Sequence, residues 1–342
     1  GQCSGCRVYA SLCLANLTND PNTQSQAVLH GALPGMIDLL LDEDLIVRRS
    51  ATLCLVNIAG SASNHSALLS HHALKSMAQM WKTETSSEIK MYISCLYVNL
   101  VSNDDIIDIV GGHDGINILM SLSSSEIYHC QCAGISGLRR LAKTSENRER
   151  LLHAQVEIIL NMNGSIDEVD IQREVAGCLQ TLSTDPLHRK TISYHCLPVL
   201  RSLLSSTDPD TLESAAATIA YLAESDEYRK EVIYTIPILD LTPLLQNTHV
   251  QVYREASRAI SNILSSCETH NSFTSNGLSA LLCLCQDIDK ECQYNASLAC
   301  RKIVVSKISH PQIMGQISGL MTLANCEQME TRNLGYVLHH GL

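Results

Sequence analysis

The 342-residue sequence predicts an all-α solenoid, and three observations carry that expectation. A sequence pattern recurs about every 41 residues, too regularly for an ordinary globular chain. Within each unit the apolar residues recur at three- and four-residue steps, which is the helical period and not the strand period. Hydrophobic residues make up 45% while aromatics are scarce (one Trp, one Phe, 11 Tyr), so the core has to be built from Leu, Ile, Val, Ala and Cys. That is enough apolar content for an extensive core and too much for disorder.

The period is read from an anchor position late in each unit. Its occupants are Asn16, Asn57, Asn99, Arg140, Thr181, Tyr221, Asn262, Lys302 and His340, spaced 41, 42, 41, 41, 40, 41, 40 and 38 residues apart. This gives about eight to nine repeats. After each anchor comes a polar turn such as Thr18-Asn19-Asp20-Pro21 or Ser183-Thr184-Asp185-Pro186, then a short helical pattern. A break follows at Gly31-Ala32-Leu33-Pro34, at Gly111-Gly112 or at Gly277. A second, apolar helix comes next, for example Met36-Ile37-Asp38-Leu39-Leu40-Leu41. A polar turn (Asp42-Glu43-Asp44, or Ser205-Ser206-Thr207-Asp208-Pro209) then leads into a long third helix that carries the anchor. Gly and Pro fall between elements, where they end helices without breaking them.

Three helices per unit with a Gly-Ala-Leu-Pro junction resemble the armadillo repeat. The segments Ala27–Leu40 and Val175–Leu182 carry the resemblance best, and it extends along essentially the whole chain. It implies a right-handed superhelix over residues 1–342 as one solenoid, and a protein-binding role. A fainter likeness, through Gly1, Cys3, Cys6, Ser125–Ile127 and Ser145–Arg148, is to the vacuole-anchored armadillo scaffold. Gly1 lies just before a third helix and Leu342 falls inside another, so the chain reads as a piece of a longer array, cut within a repeat at both ends.

In the armadillo family the third helices line a groove that holds extended peptide. Positions four apart share a helix face, so the groove stripe consists of the anchor and the residues four and eight before it. Its 27 positions hold seven bases, Arg49, Arg140, Arg173, Arg254, Arg258, Lys302 and Arg332, and one acid, Glu213. The whole chain, by contrast, has 24 Lys+Arg against 35 Asp+Glu, a net charge of −11. The expected ligand is an extended, acidic or phosphorylated protein segment. The competing reading is that these cations pair with acids of neighbouring repeats and brace the stack. Asn16, Asn57, Asn99 and Asn262 likewise allow two roles, holding a peptide backbone or satisfying local carbonyls. The stripe has no Trp four before an anchor, so the chain departs from nuclear-import armadillo adaptors; Trp81, its one tryptophan, falls in a second helix and is expected to pack in a turn or core.

The remaining signals point away from chemistry. The charge argues against nucleic acid. No apolar run approaches a membrane span, and membrane association would require lipidation at Gly1 and Cys3, where Gly5 departs from the preferred Ser or Thr. Fifteen scattered cysteines read as buried thiols of a cytoplasmic protein, with Cys13, Cys54 and Cys178 in a buried row three before the anchor. Cys3-Ser4-Gly5-Cys6 has no second pair at zinc spacing. No phosphate-binding, hydrolase, zincin or calcium-loop motif occurs, so no enzyme and no cofactor is expected. The alternatives to a scaffold are a recognition module of a larger enzyme such as a ubiquitin ligase, and a vacuolar or ciliary tether.

Overall fold

The computed structural model describes residues 4–164, 167–266, 269 and 275–305. Among the described residues there are twenty-one α-helices and no strand. They fall into two compact units, 1–159 and 160–342.

Unit 1 contains α1 (Ser4–Leu17), α2 (Pro21–Leu29), α3 (Ala32–Asp38), α4 (Leu45–Ala59), α5 (His65–Ser70), α6 (Ala73–Thr83), α7 (Ser87–Val101), α8 (Ile107–Val110), α9 (Ile116–Ser123), α10 (Tyr128–Leu141), α11 (Ser145–His153) and the start of α12 (Val156–Gly164). Unit 2 continues with α13 (Val169–Ser183), α14 (Pro186–His195), α15 (Leu197–Leu203), α16 (Pro209–Glu224), α17 (Asp226–Thr235), α18 (Ile238–Leu241), α19 (Val250–Ile263), α20 (Ser275–Leu284) and α21 (Lys290–Val305). The long anchor-bearing helices are α1, α4, α7 and α10 in unit 1, and α13, α16, α19 and α21 in unit 2.

The polar turns start helices because their side chains occupy backbone donors that a first turn leaves unpaired. Asp20, Asp44, Ser86, Thr144, Asp185, Asp208 and Ser225 each accept from a backbone N–H two or three residues on. Pro21, Pro186 and Pro209 follow three of these caps, where a missing N–H costs nothing. The turn between first and second helices of unit 1 requires a left-handed residue, and Gly31 (φ 77), His72 (φ 57), Asp114 (φ 58) and Gln155 (φ 55) supply it. Two of the expected breaks shift. Gly111 and Gly112 lie in a π-helical turn (Gly111–Gly115) with the left-handed residue at Asp114, and Gly277 lies inside α20.

The core is aliphatic with small residues, as the composition requires, and Tyr97 is its largest fully buried side chain. Seven of the described cysteines are buried, and none is in a disulfide. Cys54 and Cys178 occupy the small-residue row as expected, but Cys13 is exposed. The reason is that α1 has no third helix before it among the described residues to cover that face. Trp81 is half-buried at the end of α6, its Nε1 donating to Ser121 Oγ at 2.8 Å, with Lys90 Nζ 5.3 Å from the ring centre.

Candidate functional site

The third helices of each unit lie parallel, and hydrogen bonds at both of their ends show it. At the C-terminal ends the anchor side chain reaches back one repeat to the carbonyl just before the previous anchor. Asn57 Nδ2 donates to Ala15 O at 3.2 Å and also to Asn19 Oδ1 at 2.9 Å. Asn99 Nδ2 lies 3.5 Å from Val56 O, Asn262 Nδ2 donates to Ala220 O at 3.0 Å, and Lys302 Nζ donates to Ser261 O at 2.7 Å. The anchor position thus supplies a side-chain donor to a carbonyl near the C-terminal end of the preceding third helix, and at Val56 that carbonyl also accepts from Gly60 N. Asn16, on α1, is exposed.

At the N-terminal ends, arginines reach forward to an aspartate in the turn that starts the next third helix, which is the helix cap itself at Asp208. Arg7 Nε donates to Asp42 Oδ2 at 2.6 Å. Arg173 grips Asp208 through Nη2 at 2.6 Å and Nε at 3.1 Å, and Arg254 grips Asp289 through Nη2 at 2.5 Å and Nε at 3.1 Å. Asp208 and Asp289 also accept from the backbone N–H groups of Thr211 and Cys292, so each carboxylate caps a helix and binds a guanidinium together. The Arg173 bonds hold the Asp208 carboxyl down at about 2, and Arg254 lowers that of Asp289.

The remaining stripe cations have their own surroundings. Arg49 pairs with Glu88 at 2.8 Å, both side chains about half exposed. Arg258 binds Glu255 at 2.6 Å and lies 3.7 Å from Glu224. Its guanidinium also stacks 4.4 Å from the ring centre of Tyr221, with Arg189 at 5.4 Å from the same ring. Lys302 is half-buried, and burial, then the nearby Arg229, lowers its ammonium to about 8. Burial raises the carboxyl of Glu213, with Glu255 and Asp210 adding to it. Arg140, half-buried near the end of α10, has no ion pair among the described residues. Arg332 and His340 lie outside the described residues, as do Gly1 and Cys3.

In unit 1 the stripe residues Met91, Cys95 and Asn99 line a 290 Å³ cavity with Ser94, Val98, His129 and Ala133. Among the described residues no group of His, Cys, Asp and Glu could hold a metal ion, and no helix is long and apolar enough to cross a membrane.

The armadillo/beta-catenin-like repeat model matches residues 189–224, which run from α14 through α15 to the end of α16. An engineered protein solved by the Northeast Structural Genomics Consortium superposes with a TM-score of 0.78 at 23% identity, covering 100% of this chain and 86% of that one. The fold is an α-solenoid, and residues 189–224 match an armadillo repeat. Comparison with curated proteins finds no match.

The expected residues all lie on third helices: Asn16 on α1, Arg49 and Asn57 on α4, Asn99 on α7 and Arg140 on α10 in unit 1, and Arg173 on α13, Arg254, Arg258 and Asn262 on α19 and Lys302 on α21 in unit 2. A second set of donors was not anticipated. Gln24, Asn64, Arg148, Arg189, Arg229 and Thr269 each donate to the carbonyl six residues earlier, closing the corner between a third helix and the next first helix. Their spacing near 40 residues, or twice that, was the signal available in the sequence.

Proposed function

We propose that this armadillo solenoid is a non-catalytic protein-interaction scaffold whose third-helix faces hold an extended, acidic or phosphorylated segment. The observation that carries the reading is Arg140. It is a half-buried cation on the stripe that no carboxylate among the described residues neutralises, whereas Arg49, Arg173, Arg254 and Arg258 each have one. Lys302 adds an ammonium, which donates to Ser261 O and lies 3.4 Å from Ser261 Oγ. An incoming carboxylate or phosphate would meet either cation without first breaking an ion pair, and charge-assisted bonds are the strong ones. The other stripe arginines would contribute shape and stability to the face.

Anisotropy titrations with labelled extended peptides test this, each phosphoserine- or glutamate-rich peptide against its serine or glutamine counterpart. Acidic peptides are expected to bind more tightly, with Arg140→Ala and Lys302→Met each weakening them several-fold and added salt doing the same. Equal binding of acidic and neutral peptides, or indifference to both substitutions, would overturn the acidic preference.

A further inference from the structure

The face discussed so far leaves one part of unit 2 unexplained, the edge formed by the N-terminal ends of α19 and α21. A cavity of 710 Å³ opens there, with Val250 and Tyr253 on one side and Ile288 on the other. Ile288, in the turn between α20 and α21, is 97% exposed, the most exposed of the large hydrophobic side chains described. Val250, the first residue of α19, is 36% exposed across the opening. Capping explains neither. A helix N-terminus asks for a polar cap and tolerates many residues at the next position, so nothing local requires an aliphatic side chain in water.

The charge around the cavity indicates what would cover it. Its lining holds three carboxylates, Asp287, Asp289 and Glu291, against Arg254 and Lys290. Arg254 is committed to Asp289, and Asp287 accepts from the Tyr253 hydroxyl at 3.3 Å. Further along the same edge, Arg173 is shared among Asp170, Asp208 and Asp210, so carboxylates exceed cations there as well. Asp210 is 76% exposed and Asp170 63%. An aliphatic opening within an acidic margin is complementary to a segment that carries both a bulky apolar side chain and cations.

From this we infer that the N-terminal edge of α19 and α21 docks a basic protein segment, an aliphatic side chain of which enters between Val250 and Ile288 while its lysines or arginines face Asp287, Glu291 and Asp210. This surface is separate from the anchor end of the stripe, where Lys302 binds, and it selects the opposite charge.

The probe is a fluorescein-labelled peptide alternating Lys and Leu, with its Glu-and-Leu counterpart as control, titrated by anisotropy. Ile288→Ser is expected to weaken the Lys/Leu peptide about tenfold, the loss of one apolar contact. Glu291→Lys should weaken it several-fold and flatten its salt dependence, while Lys302→Met should leave it unchanged. Melting curves matching the wild type establish that Ile288→Ser and Glu291→Lys are folded, which the exposure of both side chains favours. No binding by the Lys/Leu peptide, binding indifferent to Ile288→Ser, or equal binding of the Glu/Leu peptide would each overturn the inference. Because Lys302→Met tests the acidic-segment reading alone, either reading fails without the other.

Discussion

Unit 1 and unit 2 repeat one backbone plan with different chemistry on the same positions. On the stripe, unit 1 presents Val8, Leu12, Leu53, Met91 and Cys95 beside an asparagine ladder, and the ion pair there, Arg49–Glu88, stands about half in solvent. Unit 2 presents Arg173, Glu213, Arg254 and Arg258, with the arginines tied to carboxylates that are 9–20% exposed for Asp208, Asp289 and Glu255. The corners differ as well. Unit 1 turns through left-handed residues, whereas unit 2 turns through Cys196 (φ −111) before Leu197-Pro198 and through Ile236 (φ −117) before Pro237. The plan is thus fixed by which backbone groups need partners, while the partner's chemistry is free to vary. Donors to the carbonyl before the anchor can be Asn or Lys, and donors to the corner carbonyl can be Gln, Asn, Arg or Thr.

The largest difference to break is a packing distance. In unit 1, α10 approaches α9 through Gly134, where a Cβ would come within 2.4 Å of Ser123 N and 2.6 Å of Leu119 O. The same register in unit 2 holds Val175, fully buried, so the backbones there must stand farther apart. Gly134→Ala therefore forces helix backbones apart and is expected to lose about 3 kcal/mol by urea unfolding. A neutral substitution would show that α9 and α10 are not in that contact.

Next in size is the Arg173–Asp208 pair. Asp208 titrates at about 2 in the folded chain against an ordinary value near 3.8, so its stabilisation is complete above pH 4 and is lost as pH falls through 2. With Arg173 about a third exposed, solvent screening reduces the effect to about 1–2 kcal/mol. Asp208→Asn should be less stable than wild type by that amount at pH 5, with the gap closing by pH 2. A gap that persists unchanged to pH 2 would mean that the cap to Thr211, not the charge, carries the effect.

Much of this was legible in the sequence, and the exceptions share one cause. The period, the three-helix unit and the stripe follow from apolar spacing, which every repeat must satisfy to bury its face. The bracing was hidden because the stripe counts Arg173 and Arg254 while their partners, Asp208 and Asp289, lie outside it in the turns. A seven-to-one charge bias on a chosen stripe therefore overstated how much of that charge is unmatched. The offset itself was readable: Arg7–Asp42, Arg173–Asp208 and Arg254–Asp289 are all 35 residues apart. The cavity beside Ile288 gave no comparable signal, since it depends on where two turns meet in space.

A smaller effect sharpens the contrast between corners. Gln155 holds φ 55 without help from a side-chain constraint of the kind proline imposes in unit 2. A left-handed residue with a Cβ costs roughly 1 kcal/mol relative to glycine, and glycine's extra unfolded-state entropy returns part of that. Gln155→Gly should therefore raise the stability of unit 1 by about 0.5 kcal/mol, and glycine at Cys196 in unit 2 should instead lower it.

The smallest expected effect tests whether exposure is what separates the ion pairs of the two units. Arg49 and Glu88 are 2.8 Å apart, as close as many of the buried pairs, but 48% and 47% exposed. Exposed pairs gain little because water competes for both charges and two long side chains must be held still. Arg49→Met is thus expected to change stability by less than about 0.5 kcal/mol, with the remainder vanishing at high salt. Arg173→Met, removing a guanidinium at a similar distance from a carboxylate only 9% exposed, should cost several times more. If the two substitutions cost the same, distance rather than desolvation would govern the bracing, and the two units would differ in sequence but not in what holds their third helices together.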